Sequence, residues 1–440
     1  MRGYALAEAE LVSFDRQFAA RVRVQKPDRY RLLGALPADA PRIARGGGVS
    51  YVGASFGHGA ISQDLGAFDR LLAFDADAGR LTVEAGLRIG DLQRFALARG
   101  WYLPVAPGHP GATVGGCIAA DVHGKNPARD GTFRALVESI EIESPLRGRV
   151  VASAEENASL FETTFAGFGL TGTITRATLR LARPPEALAV RRVPVAGLDE
   201  AARVLREAAN APVLYGWHDG RPERFGRGVI HIGLASEARG RRRPKPGRDL
   251  PARIAPLPFA VWNRAGIALA NGWLALREGR AGQSERSLSE ALFPLNRARL
   301  YFAGYGPAGM AEAQWLVPHP RFEAFAAALR DHVARERPLI ALIASKLFGG
   351  TAAGLGFDGR GVALAIQVPA PARPAQRAFL EALARIAIEH DGRPNLIKDS
   401  TLDASVARRA IAGFDAARTR LAVHNPGGLH TSELARRLGL

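Results

Sequence analysis

A run of three glycines near the N-terminus can bring the main chain close to an anionic ligand. The run is Gly46, Gly47 and Gly48 within residues 44–51, which follow a short apolar strand. Without Cβ atoms, successive residues can turn their N–H groups toward phosphate oxygens, so this turn could hold a pyrophosphate. The segment matches neither the GxGxxG fingerprint nor a P-loop, and a purely structural turn is the alternative.

Two basic side chains follow a second segment of small residues. Residues 112–126 read ATVGGCIAADVHGKN, and the small side chains at 115–120 leave room for a flat, bulky ligand against the main chain. Close helix packing would explain part of this composition, but not why His123 and Lys125 come directly after it. His123 could accept or donate a proton, and a hydrogen-bonded histidine in a tight turn is the alternative.

A third glycine-containing block completes the set. Residues 156–178 read ENASLFETTFAGFGLTGTITRAT and lead through a turn into a strand. Together with ARGGGVSYVG at 44–53 and PVAPGHPGATVGGCIAADVHGKN at 104–126, this block resembles the FAD domain of the vanillyl-alcohol oxidase and para-cresol methylhydroxylase superfamily. Within that superfamily, the pattern is similar to the flavoprotein oxidase component of decaprenylphosphoryl-β-D-ribose 2′-epimerase.

The resemblance extends over nearly the whole chain. It implies an α+β, two-domain PCMH-type FAD-binding fold, with an FAD-binding domain over residues 1–185 and an antiparallel-sheet substrate domain over 186–393. A C-terminal segment, 394–440, returns to the FAD domain. The later motifs that follow in family order are YGW at 215–217, FPLN at 293–296, YGPAG at 305–309, QWLVP at 314–318, KLFG at 346–349, KDS at 398–400 and LARRL at 434–438.

By resemblance, FAD lies extended in the N-terminal domain, with the glycine turn at its pyrophosphate. Relatives that hold FAD covalently use a histidine in a GxGHS-type turn, and Val49 stands there in this chain, so non-covalent FAD is expected. The residues expected around FAD are Ala44, Arg45, Gly46, Gly47, Gly48, Val49, Ser50, Tyr51, Val52, Gly53, Ala54, Gly108, Thr113, Val114, Gly115, Gly116, Ala120, Asp121, Val122, His123, Ile174 and Asn395.

Oxidation of an alcohol by a flavin needs the substrate carbon near the ring, a route for the hydroxyl proton and positive charge near the ring's carbonyl edge. By resemblance, Lys398 supplies this charge and orients the hydroxyl, and His123 is the second catalytic candidate. The residues expected to line the substrate cleft are Tyr51, Lys125, Trp217, Tyr305, Gln314, Lys346, Ala363 and Ala365.

The chain departs from the family pattern in this cleft. Ala363 and Ala365 replace an asparagine and a cysteine, and Glu312 replaces a glutamine. These changes leave two substrates open. The first is the 2′-hydroxyl of a polyprenyl-phosphoryl ribose, oxidised as the first half of an epimerisation in arabinan precursor synthesis for the cell envelope, with a separate NAD(P)H-dependent short-chain reductase completing it. The second is a soluble sugar alcohol or aldonolactone.

The elements that must position these residues follow from the hydrophobic patterns. A glycine-rich sequence with short β-type runs predicts an α+β N-terminal domain. In this domain, Gln93 is expected to face outward. The composition of the sequence changes at Pro184 and Pro185. Repeated strand and helix patterns beyond them favour an antiparallel sheet carrying helices on one face. Strands are predicted at 81–86, 137–143, 172–179, 312–317 and 362–368, and helices at 89–99, 158–165, 198–210, 320–335, 374–389, 404–419 and 433–440.

Charge and composition limit the class of protein. Of the 440 residues 47% are hydrophobic, enough for two cores, and the formal charge is +17. The cations are dispersed except for a run at 239–248, within a loop predicted at 238–256, so nucleic-acid binding is the disfavoured alternative. Cys117 is the single cysteine, which excludes an intrachain disulfide and a thiolate metal cluster, and no metal site is expected.

Two segments bear on location. Residues 1–23 carry Glu8, Glu10 and Asp15 among apolar positions and do not resemble a signal peptide. Residues 254–276 are the most apolar later stretch, but polar and charged residues interrupt them, so they are not predicted to span a membrane. This stretch could instead rest on an anionic membrane face. We therefore expect a cytoplasmic protein that is peripherally associated with the inner membrane.

Overall fold

A computed structural model describes residues 5–185, 187–236 and 249–440 of the chain. Its described residues form three sheets with helices packed against them, which confirms the predicted α+β class. The basic run at 239–248 and most of the predicted loop at 238–256 lie outside the described residues. The remainder of that loop, residues 249–256, forms neither helix nor strand.

The N-terminal part of the chain builds two of the sheets. Its elements are β1 (Leu6–Val12), β2 (Ala19–Gln25), β3 (Arg42–Arg45), β4 (Ile61–Asp64), β5 (Leu71–Asp75), β6 (Arg80–Glu84), α1 (Ile89–Leu97), α2 (Val114–Ala120), α3 (Pro127–Asp130), β7 (Val137–Ser144), β8 (Gly148–Ser153), α4 (Ala158–Thr164) and β9 (Thr173–Arg180). The four-stranded sheet has the order β1-β2-β4-β3 and the five-stranded sheet the order β5-β6-β9-β7-β8.

The middle of the chain forms most of the third sheet. Its elements are β10 (Ala187–Val195), α5 (Leu198–Glu207), β11 (Val213–His218), β12 (Gly228–Ser236), α6 (Arg264–Glu278), β13 (Gly282–Arg286), α7 (Leu288–Leu292), α8 (Arg299–Ala303), β14 (Met310–Pro318), α9 (His319–Glu336), β15 (Leu342–Gly349), β16 (Arg360–Pro369) and α10 (Pro374–Glu389). Helices α5, α9 and α10 pack side by side against its strands, as predicted. Leu205, Leu329 and Leu383 lie fully buried in that contact.

The C-terminal segment adds the edge strand β17 (Arg393–Pro394) and the helices α11 (Ala404–Ala410), α12 (Phe414–His424) and α13 (Glu433–Leu438). The third sheet therefore has eight strands in the antiparallel order β13-β10-β12-β11-β15-β16-β14-β17. The chain then meets its N-terminal part, because Glu433 N–H donates to Phe56 O at 2.8 Å and Leu434 N–H to Gly53 O at 3.1 Å.

Two local predictions are wrong. The single helix predicted at 404–419 is divided into α11 and α12, because Ile411 is extended after α11 and Gly413, which precedes α12, adopts φ +78. Gln93 was expected to face outward, but its side chain is buried and its Oε1 accepts a hydrogen bond from Leu103 N–H at 3.0 Å. A buried amide that binds a main-chain N–H cannot be distinguished from a surface amide by helical periodicity.

Candidate active site

One face of the eight-stranded sheet carries most of the predicted substrate residues. Side chains alternate along a strand, and residues paired directly across antiparallel strands point to the same face. The register places Trp217, Ala344, Ala365 and Gln314 in one such row across four strands. Lys346 and Ala363 form the neighbouring row. The pairing thus brings residues from distant parts of the sequence onto one surface, which we call the cleft face.

The segment after α2 closes over the cleft face. Helix α2 ends at Asp121, which is left-handed at φ 44, and the chain then presents His123 to the sheet. His123 Nδ1 lies 3.0 Å from Lys346 Nζ, which also donates to Gly124 O at 2.7 Å. The other ring nitrogen, Nε2, faces the side chain of Gln314. The catalytic candidate His123 and the two sheet residues therefore form one hydrogen-bonded group.

Two proton arrangements satisfy this group. Asn395 Nδ2 donates to Gln314 Oε1 at 2.8 Å, so the amide nitrogen of Gln314 faces His123 Nε2 at 3.2 Å. In one arrangement His123 Nε2 accepts this N–H, and Nδ1–H is donated to a neutral Lys346 amine. In the other, a charged Lys346 donates to Nδ1, and Nε2–H faces Gln314 Oε1 at 3.4 Å. The two arrangements differ by one proton, so a proton taken up at Nε2 can be passed on from Nδ1 to the neutral Lys346 amine.

Burial and mutual repulsion lower the pKa values of the cleft cations. Burial, and then the Lys346 charge, hold the pKa of His123 well below its usual range. Burial, and then Lys125 and Lys398, hold the pKa of Lys346 well below its usual range. For Lys125 the same two causes, with Lys398 as the charge, lower the pKa to about 8. The His123 ring is thus neutral at neutral pH and able to accept a proton.

Lys398 lies at a second polar group in the cleft. Its ammonium is 3.0 Å from Glu312 Oε1 and 4.2 Å from the centroid of the Tyr51 ring. Glu312 Oε2 accepts from Gln367 Nε2 at 2.6 Å. Gln367 Oε1 in turn faces the hydroxyl of Tyr305 at 3.0 Å. The predicted residues Tyr305 and Lys398 are therefore linked through Glu312, which was expected in the cleft as a departure from the family pattern, and through the amide of Gln367, which was not predicted.

The two missed residues are Gln367 and Tyr301, whose hydroxyl also contacts Gln367 Oε1. Gln367 continues the alternation of Ala363 and Ala365 along β16, so the period of two could have revealed it. Tyr301 has no comparable local pattern, because it reaches the cleft from the short helix α8.

The glycine turn has the form of an anion cradle. A Cβ atom at Gly46 would lie 2.1 Å from Thr113 Oγ1, and one at Gly47 would lie 1.9 Å from Gly111 O, so the first two glycine blocks pack directly together. Gly48 has φ +67, a conformation that favours glycine. The N–H groups of these three glycines have no acceptor within the parts of the chain that the structure describes. Unpaired N–H groups in such a turn fit the pyrophosphate of FAD.

The remaining predicted FAD residues differ in placement. Gly108 and Gly116 are exposed, and Ser50 Oγ is a buried polar atom without a partner among the described residues. Ile174 is instead packed within the N-terminal hydrophobic core. Asp121 Oδ1 accepts from Arg134 N–H at 3.0 Å, and its side chain lines a separate cavity of about 680 Å³.

The other residues of the predicted FAD set lie along the same two glycine blocks. Ala44, Arg45, Val49, Ala54, Gly115, Ala120 and Val122 are half-buried, whereas Val52, Gly53, Thr113 and Val114 are buried. A half-buried position can still contact a ligand, and a fully buried one supports its neighbours. Thr113 does so visibly, because its Oγ1 accepts from Gly116 N–H at 3.3 Å and caps α2.

Comparison with known proteins decides the family. A family described as FAD binding domain matches residues 35–153. Decaprenylphosphoryl-β-D-ribose oxidase of Mycolicibacterium smegmatis is 30% identical over 416 residues, which are 90% of this chain and 89% of that protein. The chain belongs to the PCMH-type FAD-linked oxidase family. This family member is an FAD-dependent oxidoreductase.

Two further relatives extend the comparison. An uncharacterized protein of Streptomyces coelicolor is 28% identical over 372 residues, 79% of this chain and 99% of that protein. D-arabinono-1,4-lactone oxidase of Eremothecium gossypii is 32% identical over 105 residues, which are 23% of this chain and 19% of that protein. The family member described here therefore matches some relatives over most of its length and others over about a quarter of it.

Non-covalent attachment of FAD is a first testable prediction. Val49 is aliphatic, and the thiol of Cys117 is buried, which raises its pKa and keeps it protonated. Acid denaturation is expected to release all flavin into the supernatant, as measured by absorbance of the washed precipitate. Flavin that stays on the precipitate would show a covalent bond and reveal an attachment residue outside the glycine turn.

Proposed function

We propose that this oxidoreductase oxidises the 2′-hydroxyl of a polyprenyl-phosphoryl ribose. The observation that carries the proposal is the grouping of Lys125, Lys346 and Lys398 in the cleft, where burial, and then the charges of the other two lysines, lower the pKa of Lys346. Within the described ranges 5–185, 187–236 and 249–440, only Lys398 of these three forms an ion pair with a carboxylate. Three lysines that disfavour one another's charge favour an anionic ligand such as a phosphodiester, which would restore the charged form of Lys346 on binding. The Mycolicibacterium smegmatis relative carries this substrate in its name.

The proposed roles follow from the hydrogen-bonded groups. When bound, FAD supplies the acceptor for the hydride that leaves the substrate carbon. Lys398 orients the reacting hydroxyl, since its ammonium is exposed to the cleft while Glu312 and the Tyr51 ring hold it in place. The hydroxyl proton passes to the neutral His123 ring, which can share it with Lys346. The product is a ketone, and a separate NAD(P)H-dependent short-chain reductase would complete the epimerisation.

A second candidate function is oxidation of a soluble sugar alcohol or aldonolactone. The observation that favours it is the loss of polar groups at Ala363 and Ala365, together with the lactone oxidase among the relatives. Comparing kcat/KM for oxygen or dye reduction with a short-chain prenyl-phosphoryl ribose, free ribitol and an aldonolactone separates the two. The proposal requires the phosphorylated substrate to be preferred. A preference for the free polyol or lactone would replace it with the second candidate.

Substrate capture is expected to depend on pH through Lys125. This lysine, whose pKa is about 8, is charged below that pH and neutral above it, whereas a phosphodiester keeps its charge throughout. We expect kcat/KM for the phosphorylated substrate to fall as the pH rises through about 8. In Lys125→Gln this decline should disappear, with a low kcat/KM at every pH. A Lys125→Gln profile that declines as in the wild type would assign the decline to another group.

The exposed face of α6 is the proposed membrane contact. The region 254–276, expected to rest on a membrane face, is helical only from Arg264 onward. On this helix Leu269, Trp273 and Leu276 are 76%, 60% and 81% exposed and follow one another at helical spacing. No helix among the described residues is long and apolar enough to cross a bilayer. We propose that this stripe rests on the anionic cytoplasmic face of the inner membrane, with Arg277 beside Trp273.

Binding to vesicles tests this contact. Replacing Leu269, Trp273 and Leu276 together by serine is expected to lower the affinity for phosphatidylglycerol-containing vesicles at least about tenfold, since each buried apolar side chain contributes about 1.5 kcal/mol or more. Val423→Ser, at a 68% exposed position on α12, is the matched control and should bind as the wild type does. Equal vesicle binding by the triple variant would remove α6 from the membrane contact.

A further inference from the structure

The side chain of Glu312 is held between two hydrogen-bond donors. Its residue is only 5% exposed, and its two oxygens face Lys398 Nζ at 3.0 Å and Gln367 Nε2 at 2.6 Å. Each carboxylate oxygen has two lone pairs and can accept a further hydrogen bond. Glu312 is therefore a fixed acceptor at the cleft face with capacity left for a ligand.

The surrounding network suits a carboxylate at this position. Gln367 Oε1 faces the hydroxyls of Tyr301 and Tyr305, which leaves the amide nitrogen of Gln367 toward Glu312. A glutamine in place of Glu312 would accept from only one of these two donors, and its own NH₂ group would face the other unless Gln367 turned its amide over toward the tyrosine hydroxyls. This chain departs from the family pattern at Glu312, and the neighbouring Lys398 and Gln367 both donate to the carboxylate that results.

The position of Glu312 relates it to the reacting hydroxyl. Glu312 and Gln314 are neighbours on the cleft face of β14, and Gln314 contacts the proposed proton acceptor His123. Lys398, which is proposed to orient the reacting hydroxyl, is itself bound to Glu312. A hydroxyl on the carbon next to the reacting one then comes within reach of the carboxylate. A phosphate is repelled by Glu312 and is directed toward Lys125 and Lys346.

From this arrangement we propose that Glu312 is a substrate-binding and specificity-determining residue, whose carboxylate accepts a hydrogen bond from a free hydroxyl next to the oxidised carbon. The inference rests on the proposed function and narrows the range of substrates that it allows. It requires a sugar that carries a free hydroxyl on one side of the oxidised carbon and its phosphate on the other.

A cycle of enzyme and substrate changes tests this contact. The substrates are a short-chain prenyl-phosphoryl ribose and its 3-deoxy analogue, and the enzymes are the wild type and Glu312→Gln. For the wild type, removal of the hydroxyl is expected to lower kcat/KM by about 10- to 100-fold, the range for a hydrogen bond to a charged group. For Glu312→Gln, the same removal should lower kcat/KM by less than about threefold. Glu207→Gln, on the exposed side of α5, is the control and should show the wild-type loss.

The outcomes separate the possible roles of Glu312. If Glu312 only positions Lys398, the Glu312→Gln change lowers kcat/KM equally for both substrates. The inference is then overturned while the proposed function stands. If wild-type flavin is reduced by neither phosphorylated substrate, the proposed function and the inference fall together. Should Glu312→Gln lose its FAD, Glu312→Asp replaces it in the cycle. Its carboxylate is withdrawn by one methylene, so removal of the hydroxyl should cost less than in the wild type, and an undiminished loss would overturn the contact.

Discussion

Replacement of Lys398 by alanine is expected to slow anaerobic flavin reduction by substrate at least about 100-fold, as for the loss of one preorganised electrostatic contact. The ammonium of Lys398 lies between Glu312 and the Tyr51 ring and is the cation proposed to orient the substrate oxygen. The fold and bound FAD should persist, because the proposed pyrophosphate contacts lie in the glycine turn. Stopped-flow bleaching of the flavin absorbance band measures the effect directly.

A double variant separates lost orientation from a disturbed cleft. Lys398→Ala alone leaves the nearly buried Glu312 carboxylate without its ion-pair partner, which is unfavourable in itself. Lys398→Ala combined with Glu312→Gln removes both charges, and we expect this variant to remain as slow as the single one. Recovery of rapid reduction in the double variant, or near-wild-type reduction in the single variant, would make Lys398 a structural cation. His123 or Lys125 would then be the better catalytic candidate.

Replacement of Gly47 by alanine is expected to weaken FAD binding by about 10- to 100-fold, the range for overpacking by a single methyl group of about 1–3 kcal/mol. The added Cβ would lie 1.9 Å from Gly111 O, a main-chain atom that cannot rotate away. The two glycine blocks must then separate, and the N–H groups of the turn lose their alignment. Titration of the apoprotein with FAD, followed by flavin fluorescence, gives the dissociation constant.

The control for this variant is Gly197→Ala. A Cβ at Gly197 meets no atom within 4 Å, and its φ of −164 is accessible to alanine. This variant should bind FAD as the wild type does. If Gly47→Ala keeps wild-type affinity while its far-UV circular dichroism is unchanged, the turn is only a structural link between the two blocks.

Much of the fold can be predicted because its signals are local. Alternation along β14 and β16 identifies the residues that share a face, and glycine blocks indicate where the main chain approaches a ligand. The two wrong predictions have local causes that hydrophobic periodicity does not reveal. Gly413 divides the last helical stretch by a positive φ, and Gln93 is buried because it binds the main chain of Leu103.

The chemistry of the site is less accessible from sequence because its partners are distant in the chain. His123 and Gln314 are 191 residues apart, and Lys346 lies 223 residues from His123. The lowered pKa values of Lys125 and Lys346 exist only because separate elements bring these cations together away from water. A sequence motif could indicate each lysine. It could not indicate that Glu312 pairs with Lys398 and not with Lys125 or Lys346.

Reduction of the flavin by a substrate deuterated at the carbon that bears the 2′-hydroxyl tests the central claim most directly. A short-chain prenyl-phosphoryl ribose, with and without deuterium at this carbon, is mixed anaerobically with the enzyme, and bleaching of the flavin is followed. We predict rapid bleaching with the unlabelled compound and several-fold slower bleaching with the deuterated one, with the 2′-ketone as product. Bleaching without an isotope effect would show that another step limits reduction, and absence of bleaching, or a product oxidised at another carbon, would contradict the proposed reaction.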